Sequence, residues 1–111
     1  GITKVVGIAR GGLPLAVTLS HRLNVRMETL VWQTRDGQAQ DKRKVAELMQ
    51  QDLSKVLFVD EICDSGETIC ELKSMLQGGI WVTWIDKLGT QVDFSHLKMI
   101  KNDAWIIFPW E

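Results

Sequence analysis

The sequence predicts an α/β protein, an open, mainly parallel, twisted sheet flanked by helices, and three observations carry that expectation. Strand-like and helix-like segments alternate along the chain, the pattern of a parallel sheet with helices packed on its faces. An apolar run, Val56, Leu57, Phe58 and Val59, passes directly into the adjacent carboxylates Asp60 and Glu61. A small polar turn follows, then Ile69, Leu72 and Leu76 at helical spacing. The length of 111 residues, with 45% hydrophobic and 24% charged, suits one domain, 1–111, with a filled core.

The first strand is expected at about 4–9. Gly11 and Gly12 make a turn, and Pro14 suits the first turn of a helix whose apolar side is Leu13, Ala16, Val17 and Leu23. A second strand falls at about 27–32. Residues 33–41 are polar without apolar periodicity and read as a mobile loop. Val45, Leu48, Met49 and Leu53 suggest the second helix. The third strand is the run into Asp60, and its helix continues to about Leu76, where Gly78 and Gly79 end it. A fourth strand is expected at about 80–86, a short one near 92–94 inside a less regular stretch from 89 to 103, and a last one at 104–108. There is no internal repeat, linker or low-complexity segment.

Composition narrows the function classes. A formal net charge of −1 gives no basic field pointing to nucleic acid. No apolar run approaches the roughly 20 residues that span a bilayer, and no signal-peptide pattern opens the chain, so a cytoplasmic location is expected. Cys63 and Cys70 fit no common zinc spacing and read as reduced structural thiols. His21 and His96 have no partners at useful spacing and read as surface or packing residues.

The chemistry gathers around the third strand. Asp60 and Glu61 stand at its carboxyl end, where open α/β sheets bind ligands. Asp64, Ser65, Gly66, Glu67 and Thr68 form a turn at a helix start, where free N–H groups and the helix dipole favour phosphate. The carboxylates cannot themselves bind phosphate; they suit sugar hydroxyls or a divalent metal. Together these groups point to a phosphorylated sugar. Arg10, Gly11 and Gly12 follow the first strand, again at a carboxyl end. The glycines admit close backbone approach, and the arginine offers a planar fork of donors.

The stretch 56–68 resembles the phosphoribosyl-pyrophosphate motif of type I phosphoribosyltransferases: an apolar strand, two acids, two variable residues, Asp, Ser or Thr, Gly, any residue, Thr. The likeness extends from Val5 to Glu111 and is closest to the 6-oxopurine (xanthine-guanine and hypoxanthine) enzymes. It implies transfer of a phosphoribosyl group from phosphoribosyl pyrophosphate to a purine, with Mg²⁺ as cofactor and a dimer as the usual assembly. By the same resemblance Arg10, Gly11 and Gly12 form the pyrophosphate loop, often preceded by a cis peptide, here Ala9–Arg10. Asp60 and Glu61 take the ribose hydroxyls directly or through the metal. Residues 64–68 hold the 5′-phosphate, and Asp64 is the general base on the purine.

Lys87 and Trp105, with Ile106 beside it, resemble the base-binding elements, a lysine donating to the 6-oxygen and an aromatic stacked on the ring. An ammonium has donors only, so Lys87 suits a 6-oxo group and meets the amino group of adenine donor to donor. The polar stretch 33–44, with Arg35, Lys42, Arg43 and Lys44, falls where the family carries a flexible catalytic loop.

Three departures stand out. Residue 1 is Gly rather than Met, and the segment that usually precedes the first strand is lacking, so either the sequence begins late or the protein is a short member. Ile107 and Phe108 replace an acid common in purine enzymes, and Leu88 replaces a proline after the lysine. The rival reading is a family member that binds nucleotide or phosphoribosyl pyrophosphate without turnover, as a regulator or a remnant.

Overall fold

The computed structural model describes residues 1–9, 11–32, 40–63, 67–86 and 93–98. In chain order they form β1 (Lys4–Ala9), α1 (Leu13–Leu23), β2 (Arg26–Val31), α2 (Lys42–Met49), β3 (Val56–Cys63), α3 (Glu67–Met75), β4 (Ile80–Asp86) and β5 (Phe94–Lys98). The five strands make one sheet in the order β2-β1-β3-β4-β5, and every pairing is parallel.

The sheet has an apolar layer on each face. Alternate residues of a strand point to opposite sides, so Val5, Leu57 and Val59 meet Leu15 and Ala16 of α1 on one face. Val6, Ile8, Leu30 and Phe58 meet Val45 and Leu48 of α2 and Ile69 and Leu72 of α3 on the other. Phe58 and Trp81, register neighbours on β3 and β4, stack with ring centroids 4.6 Å apart. Gly7 lets α1 lie close, because a Cβ there would stand 2.8 Å from the Cβ of Ala16.

Chain turns follow local chemistry. Pro14 occupies the first turn of α1 as expected, and the helix stops at Asn24 in the left-handed conformation, with Val25 N–H donating to the Ser20 carbonyl. Asp41 caps α2 by accepting from Lys44 N–H at 3.0 Å. Gly78 and Gly79 follow α3 with φ of 90° and 84°, a region that L side chains resist.

Several boundaries differ from the sequence reading. β2 begins and ends one residue earlier than 27–32: Arg26 pairs with Lys4 of β1 at its start, and Trp32 leaves the ladder to bridge Gln40. α2 starts at Lys42, so Lys42, Arg43 and Lys44 are helical rather than part of the polar loop, because the Asp41 cap outweighs their polarity. Leu53 lies beyond that helix and packs into the same core. β5 lies at Phe94–Lys98, after the expected 92–94, aligned by pairing with β4 rather than by apolar periodicity. The strand expected at 104–108 lies outside the described residues.

Candidate functional site

The strand order reverses between β1 and β3: the chain moves outward from β1 to β2, then crosses back to build β3 and β4. The crevice at the carboxyl ends on either side of such a reversal is the usual ligand position in open α/β sheets. Gly11 and Gly12 leave β1 there, and Asp60 and Glu61 stand at the end of β3.

The two segments touch closely. Gly12 N–H donates to the Ile8 carbonyl at 2.9 Å, folding the turn back over the sheet. A Cβ on Gly12 would come within 2.3 Å of the Val59 carbonyl oxygen, and one on Gly11 within 2.4 Å of Glu61 Cδ. Only glycines allow the turn to sit on β3 and the Glu61 carboxyl to lie against it. The sequence pair of glycines and the sequence pair of acids, 48 residues apart between Gly12 and Asp60, are thus parts of one surface.

Asp60 and Glu61 leave the strand on opposite faces, as neighbours in a strand must. Glu61 points to the α1 side, toward Gly11. Asp60 shares the opposite side with Phe58. Part of Asp60 remains accessible, but its carboxyl is enclosed enough for desolvation to dominate and push it up to about 7; the nearby Glu61 charge adds to this, and the Glu61 N–H, donating to Oδ1 at 2.8 Å, opposes it. Glu67 and Thr68 form the first turn of α3, with Glu67 at the positive end of the helix dipole and Lys73 near the negative end.

Carboxylate oxygens are the right donors for Mg²⁺, which typically binds one or two carboxylates and takes its remaining ligands from water and substrate phosphates. Among the described residues no group of three or more His, Cys, Asp and Glu could hold a metal. The adjacent Asp60 and Glu61 are a donor set of the size Mg²⁺ takes.

Gly11, Gly12, Asp60 and Glu61 are brought together as described, and Glu67 and Thr68 open the helix that follows β3. Arg10, Asp64, Ser65, Gly66, Lys87, Leu88, Trp105, Ile106, Ile107 and Phe108 lie outside the described residues, as does the Ala9–Arg10 bond. Lys44 is engaged elsewhere: its ammonium bonds Glu28 on β2. Arg43 is exposed beside Glu47.

Two features had no signal in the sequence. Trp32 Nε1 and Gln40 Nε2 both donate to Glu71 Oε1 on α3, at 3.1 and 3.4 Å. Trp32 and Gln40 also form an antiparallel bridge, so both flanks of residues 33–39 are tied to the helix that follows the acidic pair. Thr83 stands beside Asp60 in the β3–β4 ladder. Both arise from tertiary register, which no local spacing encodes. A hollow of about 230 Å³ is lined by Trp32, Val45, Ala46, Met49 and Met75, with Lys42 its one charged lining residue. No helix among the described residues is long and apolar enough to cross a membrane.

The pattern of the phosphoribosyl transferase domain matches residues 1–79. The chain is 32% identical to the xanthine-guanine phosphoribosyltransferase of Cereibacter sphaeroides, over 96% of this chain and 68% of the relative. Its identity to the enzyme of the same name from Chromohalobacter salexigens is also 32%, over 96% and 67%. Among solved structures, a purine phosphoribosyltransferase from Pyrococcus horikoshii superposes with a TM-score of 0.68 at 26% identity, covering 99% of this chain and 77% of that one. With its parallel sheet, its glycine turn against an acidic pair and these matches, the chain belongs to the phosphoribosyl transferase domain family.

Proposed function

We propose that this protein transfers the 5-phosphoribosyl group from phosphoribosyl pyrophosphate to a 6-oxopurine base, releasing pyrophosphate, with residues 1–111 acting as one catalytic unit. The single observation that carries the reading is the closure of Gly11 and Gly12 onto Asp60 and Glu61 at the point where strand order reverses. Xanthine-guanine relatives at 32% identity support the purine class.

In this reading the sugar phosphate lies across the carboxyl edge of β1 and β3. Residues 64–68 donate to the 5′-phosphate, Ser65 and Thr68 through their hydroxyls and Gly66 and Glu67 through backbone N–H groups. Asp60 and Glu61 would take the ribose hydroxyls, directly or by holding Mg²⁺. Arg10 and the amides of Gly11 and Gly12 bind the pyrophosphate and stabilise charge as it leaves; such preorganised donors commonly supply the largest part of a rate enhancement. Mg²⁺, when bound, offsets the negative charge of the departing pyrophosphate. Asp64 accepts the proton from the purine nitrogen that attacks the anomeric carbon. Lys87 donates to the 6-oxygen, and Trp105 and Ile106 pack against the ring. The family's usual form supports a homodimer.

The test is an assay with phosphoribosyl pyrophosphate, Mg²⁺ and a panel of hypoxanthine, guanine, xanthine, adenine and orotate, read as nucleotide formed. The expected products are 6-oxopurine nucleotides. Equal use of adenine or orotate overturns the base assignment, and binding of phosphoribosyl pyrophosphate without product identifies a non-catalytic member.

A further inference from the structure

Thr83 sits inside β4, 1% exposed, and its hydroxyl has no hydrogen-bond partner among the described residues. A hydroxyl buried in this way is unfavourable relative to an apolar group of the same shape. The surroundings would accept one: the neighbouring layer on this face is the Phe58–Trp81 stack, and Ile85 follows two residues along the strand. Valine would fill the same volume without a polar atom to satisfy.

The position of Thr83 gives the hydroxyl a use. In the β3–β4 ladder Thr83 is the register partner of Asp60. Register partners in a parallel sheet share a face, with strands about 4.8 Å apart, so a rotation about one side-chain bond brings the Thr83 hydroxyl within reach of the Asp60 carboxyl. Asp60 Oδ1 already accepts from the Glu61 N–H, which leaves Oδ2 for another donor. On the far side, Ser95 of β5 is the register partner of Thr83, and its hydroxyl is likewise buried without a partner among the described residues. Asp60, Thr83 and Ser95 thus form a polar row across three adjacent strands, next to the apolar Phe58–Trp81 stack.

We propose that Thr83 is a positioning residue for Asp60: on ligand binding its hydroxyl donates to Asp60 Oδ2, while Ser95 donates to Thr83 Oγ1, fixing the carboxylate toward the ribose. This rests on the phosphoribosyl site proposed above. Hydrogen bonds to an ionised group are about twice as strong as neutral ones. In the structure neither the Thr83 nor the Ser95 hydroxyl has a partner among the described residues, and the row engages when a ribose hydroxyl fixes the orientation of the Asp60 carboxyl. Thr83 stabilises the loaded site at the expense of the empty one.

That opposition separates a positioning role from a structural one. Three proteins are compared, wild type, Thr83→Val and Thr83→Ser. The melting temperature is measured without ligand, phosphoribosyl pyrophosphate binding with Mg²⁺ is measured by calorimetry, and KM is separated from kcat in turnover. Thr83→Val is expected to melt higher than wild type yet bind phosphoribosyl pyrophosphate about tenfold more weakly, the loss expected for one hydrogen bond to a charged group. KM should rise in proportion, while kcat changes less than twofold. Thr83→Ser should bind within about twofold of wild type. Thr83→Val that binds as wild type does, or that melts lower or does not fold, overturns the proposal and leaves the phosphoribosyl reading standing. Wild-type protein that binds no phosphoribosyl pyrophosphate overturns both.

Discussion

Two buried charge clusters lie on the same face of this sheet and are built on opposite rules. Near the amino ends of the strands, Glu28 of β2 accepts from Lys4 of β1 at 3.3 Å and from Lys44 of α2, with Arg26 alongside at 3.4 Å. Lys4 Nζ also donates to Gln51 at 2.7 Å. Burial raises the Glu28 carboxyl, but the hydrogen bonds and charges of Lys44 and Lys4 outweigh it and hold the group below its ordinary value. At the carboxyl end, Asp60 is enclosed with no cation beside it among the causes of its shift, and is pushed up to about 7. One cluster is paired and finished. The other keeps a carboxyl under-compensated at the carboxyl edge of the sheet, the pattern expected of a functional rather than a structural charge.

The largest expected effect comes from relieving Asp60. Its folded value, about 7, lies above the ordinary 3.8, so the native state holds a proton that the unfolded chain has already released. The stability linked to this group is fully present below 3.8 and is lost as pH rises to about 7, after which it is flat. A difference of that size is worth at most about 4 kcal/mol. Asp60→Asn should therefore be more stable than wild type at pH 8 by up to about 4 kcal/mol and nearly equal to it at pH 4, in urea denaturation, while losing affinity for phosphoribosyl pyrophosphate. A pH-independent difference would break the contrast.

Glu28 carries the opposite sign. Its folded value lies below 4.5, so its contribution is present above 4.5 and disappears as pH falls through the lower folded value. Glu28→Leu leaves Lys4, whose side chain is 4% exposed, buried without its carboxylate. A broken buried pair costs about 3–5 kcal/mol, and the residual exposure of Glu28, 24%, places this one near about 3 kcal/mol. Denaturation at pH 7 checks the loss, and the ligand affinity of the folded fraction should be unchanged.

The sequence makes one of these clusters legible and hides the other. Asp60 and Glu61 are adjacent at the end of an apolar run, a local pattern, and the glycine pair at 11–12 is local too. Strands β1 and β4 lie where alternation and apolar runs place them, 4–9 and 80–86. Lys4, Glu28, Lys44 and Gln51 lie apart in the sequence, and only the ladder and the docking of α2 bring them together. The same holds for Thr83 beside Asp60 and for Glu71 beneath Trp32 and Gln40. Motifs whose parts are contiguous are readable from the chain. Constellations assembled by register need the sheet.

The two glycines of the turn differ in what a Cβ would meet. Gly12→Ala would drive a Cβ to 2.3 Å from the Val59 carbonyl and 2.8 Å from that of Ile8, both main-chain atoms that cannot yield without moving a strand. Overpacking of this kind costs about 1–3 kcal/mol, so a loss near about 2 kcal/mol in urea denaturation is expected, with β1, β3 and the ligand site disturbed together.

Gly11→Ala meets a different obstacle. All three nearest atoms belong to the Glu61 carboxyl, the nearest at 2.4 Å, and these lie at the end of a flexible side chain that can swing aside. Stability should stay within about 0.5 kcal/mol of wild type, the range of substitutions that leave packing intact. The displaced carboxyl, however, is the one that faces the glycine turn. Gly11→Ala should therefore lower affinity for phosphoribosyl pyrophosphate while urea denaturation is unchanged. Gly11→Ala with Glu61→Ala should bind no worse than Glu61→Ala alone, because the two changes remove the same contact. Additive losses in that cycle would mean that the glycine serves the ligand directly and that its closeness to Glu61 is incidental.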